Sequence, residues 1–313
     1  METVLITGGT GLIGNALTQF LTGRGYNVII LSRKAITNYS NIAPENVRFA
    51  KWDVKKKVMD ITALQQADYI INLAGAGVMD KKWTADYKNE IVNSRIESAA
   101  LLVQSLQQNP NKVKAVISAS AIGWYTAGNT MHTEEEEADK SLLGETCRLW
   151  EESIQPVTGL NKRLVTLRIG IVLSKNGGAL KEFIQPIKYG IAAILGNGKQ
   201  VLSWIYINDL CRIFLHAIEN EKINGVYNAV APHPITNKEL TLALAKKMKG
   251  RYYLPVQIPS FILKLMLGER SIEILKSALV SSKKIEASTF KFRFENIDAV
   301  LRDLTEKIKG QNG

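Results

Sequence analysis

The stretch Thr7-Gly8-Gly9-Thr10-Gly11-Leu12-Ile13-Gly14 constrains this chain more than any other. An apolar run, Val4-Leu5-Ile6, precedes it and reads as a short buried strand, and Asn15 to Leu21 follow it with apolar side chains at helical spacing. Without a Cβ, glycine lets the chain turn tightly, lets a pyrophosphate approach the backbone, and lets the helix pack closely on its strand. The start of the helix then presents unpaired N–H groups and a partial positive charge to an anion. A plain tight turn can carry the same glycines, so the pattern takes its meaning from the strand before it and the helix after it. Gly8, Thr10, Gly11, Leu12 and Ile13 are the expected cradle.

A second strand, Tyr26 to Leu31, ends in Ser32-Arg33-Lys34, and no acid appears until Glu45. In a dinucleotide site the residue past this strand reads the adenosine ribose: an acid accepts from the 2′-hydroxyl of NAD, whereas a cation accommodates the 2′-phosphate of NADP. Arg33 is therefore expected to read NADP (NADPH), the competing account being two exposed cations that simply follow a strand. A charge-assisted contact of roughly 1.5–3 kcal/mol corresponds to about a tenfold to hundredfold preference for NADP over NAD.

A third strand, Val47 to Trp52, is followed by Asp53, and a fourth, Tyr69 to Leu73, runs into Ala74-Gly75-Ala76-Gly77. Leu73, Ala74 and Gly75 are expected to lie along the cofactor, while Asp53 is either an adenine contact or a turn acid. Trp83 to Gln107 reads as an amphipathic helix, and Val113 to Ile117 as a fifth strand ending in Ser118-Ala119-Ser120. The alternation predicts an α/β fold with a Rossmann-type, doubly wound parallel sheet that binds its ligand at the carboxyl ends of the strands.

At 313 residues, 46% hydrophobic and 22% charged, the chain suits one large domain or two modest ones, and a folded globular protein is expected. It contains no apolar run of membrane-spanning length, and Met1-Glu2-Thr3 leads directly into a strand instead of a signal peptide; a cytoplasmic location is expected. The net charge of +11 is scattered among 29 acids without a nucleic-acid-binding module, so nucleic acid is not an expected partner. A positive field would still attract a phosphorylated dinucleotide. Cys147 and Cys211 lack metal-ligand spacing and read as buried, reduced thiols; no metal is expected.

With the glycine turn, Asn72-Leu73-Ala74-Gly75 and Ser118-Ala119-Ser120, the chain resembles the extended short-chain dehydrogenase/reductases of the NAD-dependent epimerase/dehydratase group. More narrowly, it is similar to an atypical "epimerase family protein" branch with a C-terminal domain of unknown function. The narrower marks are Lys82-Trp83-Thr84, Ser94-Arg95, Leu167-Arg168-Ile169-Gly170, Gly196-Asn197-Gly198-Lys199-Gln200, Ser203-Trp204-Ile205, Tyr227 to Pro232 and Gly268-Glu269. The resemblance implies an NADP-binding domain over 1–230, with 176–200 reaching towards a smaller substrate-facing lobe at 231–313. Trp83, Gln200 and Trp204 are then expected near the substrate, and Arg168 is expected to meet the cofactor or seal the lobe interface.

Ordinary members of the superfamily carry a tyrosine with a lysine four residues later on one helix, the ammonium lowering the phenol's pKa. None of the 10 tyrosines here has that lysine. Leu143 or Gly144 falls where the tyrosine would be, and Arg148 lies near the expected cation position. The candidates left for catalysis are Ser120, at the superfamily's hydroxyl position, and Tyr125 in the following loop; each could equally be a satisfied polar group. His132 and Glu134 to Glu137 read as a solvated loop. The arginine that clamps substrate pyrophosphate in similar sugar-nucleotide epimerases is replaced by Leu202. The expectation is an NADP-dependent oxidoreductase or epimerase-like enzyme on a small polar substrate, or an NADP(H)-binding regulatory protein that has lost turnover.

In the later segments, Asp209 with Asn208 reads as an N-cap, Phe261 to Leu267 as a helix buried beneath a lid, and Phe290 to Phe294 as a half-buried strand.

Overall fold

The structure, a computed structural model, describes residues 1–33 and 45–309. The first six strands are β1 (Thr3–Thr7), β2 (Asn27–Ser32), β3 (Val47–Asp53), β4 (Val58–Met59), β5 (Tyr69–Asn72) and β6 (Ala115–Ala121). With Arg163–Ile169 and Gly225–Ala229 they make an eight-stranded sheet in the order Gly225–Ala229, Arg163–Ile169, β6, β5, β1, β2, β3, β4. All neighbours are parallel except β3 and β4. Strands buried on both faces read as continuous apolar runs, which is why β1, β2 and β5 are visible in the sequence. Val4, Leu5, Ile6, Ile70 and Ile71 are fully buried.

The chain winds outward from β1 to β3, then returns to β5 on the other side of β1 and winds outward again. That reversal leaves a crevice above the carboxyl ends of β1 and β5. Four helices belong to these crossovers: α1 (Leu12–Thr22), α2 (Ile61–Gln66), α3 (Ala85–Gln108) and α4 (Leu142–Ile154). Right-handed crossovers running in opposite directions set α1 on one face of the sheet and α3 on the other. There α1 packs with the Ile207–Glu219 helix, and α3 with α4.

A second, smaller core gathers Leu173, Leu180, Ala192 and Trp204 with Leu240, Leu244 and Val300. Around it Ile191–Leu195 pairs in parallel with Leu254–Ile258, and Val201–Leu202 pairs antiparallel with Ile235–Thr236. The smaller core therefore draws on chain from both sides of residue 230.

Three local readings are corrected. Phe290, Phe292 and Phe294 are buried as the alternation requires, yet the segment joins no strand. Its backbone is held instead by Asp209, 0% exposed, whose carboxylate accepts from Arg293 N (3.0 Å) and Phe294 N (2.7 Å). Asp209 thus sits inside the Ile207–Glu219 helix, whose N-cap is Tyr206, and does not cap it. The helix Ser260–Leu267 buries only Leu263, leaving Phe261 70% and Leu265 86% exposed, because it packs chiefly on the short helical turns of 268–275.

Candidate functional site at the carboxyl edge of the sheet

The glycine turn closes on itself through Gly11 N donating to Gly8 O at 3.0 Å. Gly8 has φ +68°, and a Cβ there would stand 2.9 Å from the Leu73 backbone. A Cβ on Gly14 would stand 2.5 Å from Gly8 O, so α1 is pressed against its own entry loop. Thr7 Oγ1 donates to Asn72 Oδ1 (2.8 Å) and accepts from Leu73 N (3.0 Å) and Ala74 N (3.2 Å). Asn72 Nδ2 in turn donates to Ser118 Oγ at 3.1 Å. This buried chain of hydrogen bonds pins the ends of β1, β5 and β6 side by side, bringing Gly8, Gly11, Leu73, Ala74 and Gly75 to one crevice.

Helices α2, α3 and α4 are capped by Asp60, Thr84 and Ser141, but α1 has no side-chain cap and no acid in its first turn. Its first N–H groups, at Leu12 and Ile13, face the crevice beside exposed Thr10 and Gly11. An uncapped helix start with a Cβ-free approach fits the diphosphate of a dinucleotide. Arg33 is exposed immediately past β2; Lys34 lies outside the described residues. Asp53 serves its turn, accepting from Lys56 N at 3.1 Å.

A second wall rises from β6, Arg163–Ile169 and α4. Ser120, 2% exposed, donates to Glu151 Oε1 at 2.6 Å. Arg168 grips the same carboxylate in a fork, Nε to Oε1 at 2.9 Å and Nη2 to Oε2 at 3.0 Å, which opposes the burial that would lower its pKa. It also donates to Tyr125 Oη (3.2 Å) and Glu134 O (3.1 Å), and lies 3.5 Å over the Trp124 ring. Arg168, 2% exposed, is therefore an internal tie between strand and loop, not a surface for the cofactor.

Tyr125 is corrected for the same reason. Its ring is 0% exposed, its hydroxyl donates to Asn228 Oδ1 at 2.6 Å, and burial pushes its pKa up to about 12 against the pull of Arg168. No phenolate base is available there. Gln200 and Trp204 are likewise buried, with Gln200 Nε2 donating to Leu195 O (3.0 Å) and Trp204 Nε1 to His233 O (3.0 Å). Trp83, partly buried, braces the loop after β5 by donating to Val78 O at 2.8 Å. His132 is buried and stacked on Tyr125, with exposed Glu136 on its Nδ1, and Glu134 reaches in to accept from Asn228 N at 2.8 Å. Arg148 is tied to Glu145 and Glu152 on the outer side of α4.

Two site residues lack a role in the sequence reading: Glu151, and Arg95, which stood there only as a family mark. The signal for each is a charge inside an apolar stripe: Glu151 follows Gly144 and Cys147 and precedes Ile154 on the buried face of α4, and Arg95 falls between Ile91, Ser98 and Leu102 on that of α3. Among the described residues no cluster of side chains could hold a metal ion, and no helix is long and apolar enough to cross a membrane.

The model of the NAD dependent epimerase/dehydratase family matches residues 4–229, and that of a domain of unknown function, DUF1731, matches 258–304. The chain is 34% identical over 310 residues to the epimerase family protein SAR0825 of Staphylococcus aureus, covering 98% of this chain and all of that one. It is 33% identical over 303 residues to the epimerase family protein YfhF of Bacillus subtilis, covering 96% and 97% of the two chains. The human epimerase family protein SDR39U1, crystallised with NADPH, superposes with a TM-score of 0.85 at 29% identity over 97% of this chain and 99% of that one. The chain belongs to the NAD dependent epimerase/dehydratase family, in the branch that ends in DUF1731.

Proposed function

We propose that this family member is an NADPH-binding oxidoreductase or epimerase-like enzyme acting on a small polar substrate. The observation that carries the reading is the uncapped start of α1, seated against the end of β5 where the strand order reverses. The backbone N–H groups of Leu12 and Ile13 hold the diphosphate, and exposed Arg33 takes the 2′-phosphate. The NADPH bound by the similar human protein supports this choice of cofactor. Bound there, the cofactor supplies hydride exchange with a carbonyl or alcohol carbon.

On the second wall, Ser120 Oγ, whose proton goes to Glu151 Oε1, accepts from a substrate hydroxyl, and Glu151 keeps it oriented. Leu202, 6% exposed, leaves no cation where similar sugar-nucleotide epimerases clamp a pyrophosphate, which speaks against a sugar-nucleotide substrate.

Fluorescence titration tests the cofactor: NADPH should bind about tenfold to hundredfold more tightly than NADH, and Arg33→Ala should erase the difference. Equal Kd values for the two would sink the NADP assignment. Turnover is tested by NADPH absorbance against a library of small aldehydes, ketones and quinones, with Ser120→Ala lowering any rate found. A second reading, an NADP(H)-binding regulatory protein, is favoured by the burial of Tyr125 and by the satisfied hydroxyl of Ser120. Tight NADPH binding without turnover on any member of the library would select it.

A further inference from the structure

On α4, the positions that would carry the superfamily's cation are Cys147 and Arg148. Arg148 is held on the outer side by Glu145 and Glu152. Cys147 faces inward, 4% exposed, donating through Sγ to Ala121 O at 3.5 Å. Burial, with Glu151 nearby, pushes that thiol up to about 11, so at these two positions α4 brings no cation to this wall.

Helix α3 brings a cation to the same wall. Arg95 Cγ and Cζ both lie 3.0 Å from where a Cβ on Gly75 would stand, and the guanidinium is 5.0 Å from the Trp150 ring. Burial lowers its pKa, and the groups that act on it electrostatically are Cys147 and Tyr87. Its hydrogen bond is to its own helix, Nη1 to Ile91 O at 2.7 Å, and among the described residues no acid pairs with it. Compare the other buried guanidinium of the site, Arg168, which is matched by a forked carboxylate. Its remaining N–H donors meet no protein partner and none is sealed from solvent, so an anionic ligand can reach them. Gly75 above it is exposed, at the edge of the crevice, and only because it lacks a Cβ can the guanidinium lie so close to the crevice floor.

We infer that Arg95 supplies, from α3, the positive charge that α4 lacks, and that it binds the nicotinamide-side ribose and phosphate of the dinucleotide. This rests on the NADPH reading above but is separable from it, because the two halves of the cofactor can be offered separately. Adenosine 2′,5′-bisphosphate carries the 2′-phosphate that Arg33 would read and lacks the nicotinamide half.

The test uses the full chain, with NADPH followed by fluorescence and the bisphosphate by competition. Arg95→Met, which keeps the buried stem, should weaken NADPH by about tenfold or more while leaving the bisphosphate within about twofold, and Arg95→Lys should recover part of the loss. Gly75→Ala, which pushes the guanidinium aside, should act in the same direction. If the wild-type chain binds neither ligand, the cofactor reading fails and the inference with it. If wild type binds NADPH and Arg95→Met binds it equally well, the inference alone is overturned. Equal weakening of both ligands also overturns it, since Arg95 would then be supporting the glycine turn.

Discussion

At the carboxyl end of β1, the N–H groups that open α1 have no side-chain cap, and the stretch from Thr7 to Gly14 has no Cβ at four of its eight positions. At the carboxyl end of β6, by contrast, Ser120, Glu151, Arg168, Tyr125 and Asn228 satisfy one another inside the protein. The first region is a set of fixed donors awaiting an anion. The second is a rigid partition, in which a newcomer can gain a hydrogen bond only by displacing one already made. On the proposed reading, binding is prepared on one side of the crevice, and Ser120 is the group left for chemistry on the other.

The largest expected effect comes from opening the partition. Arg168→Ala leaves Glu151 in the interior without its fork and should cost about 3–5 kcal/mol in denaturant unfolding, with Arg168→Met combined with Glu151→Gln recovering part of it. A loss below about 1 kcal/mol would mean that the pair is solvated and the contrast false. Closing the open side comes next. Gly14→Ala drives a Cβ into the backbone at Gly8 and Gly9, and should destabilise by about 1–3 kcal/mol while abolishing measurable NADPH binding in a chain that still folds. Retained affinity would show that the glycine turn is not the cradle.

The smallest effect is at Tyr125. Removing its hydroxyl with Phe should cost about 1–2 kcal/mol, since buried Asn228 loses its donor, and should leave any turnover nearly unchanged. The pH dependence has a definite sign. Tyr125's pKa rises on folding from 10.0 to about 12, so its stabilising contribution is complete below pH 10 and is lost as pH rises towards 12. Wild type should weaken across that window more than Tyr125→Phe does. A turnover that collapses in Tyr125→Phe would make the partition an active surface.

This contrast also explains what was legible beforehand. The strand, turn and helix from Thr3 to Thr22 are local in sequence, so β1 and α1 could be read directly, although the close approach of Gly8 is to Leu73 and that of Gly9 to Ile30. The partition is assembled from residues 120, 125, 151, 168 and 228, which meet only through the sheet order. Nothing near Tyr125 in sequence tells that its hydroxyl is taken by Asn228, and an arginine ending a strand looks the same whether it faces solvent or Glu151. The phenylalanine alternation at 290–294 concealed that the partner of the backbone is a carboxylate and not another strand.

The pairing of Ile191–Leu195 with Leu254–Ile258 has a consequence in time as well as in space. Synthesis proceeds from the N-terminus, and the larger sheet receives its last strand, Gly225–Ala229, while the smaller core is still missing a partner strand and its Val300. A nascent chain at that stage holds Leu173, Leu180 and Trp204 without their cover. Those residues must wait for about seventy more to leave the ribosome, at roughly 5–20 residues per second a delay of several seconds. The vulnerable moment for this protein is thus late in translation, when the dinucleotide crevice is already built and the lobe beside it is half made.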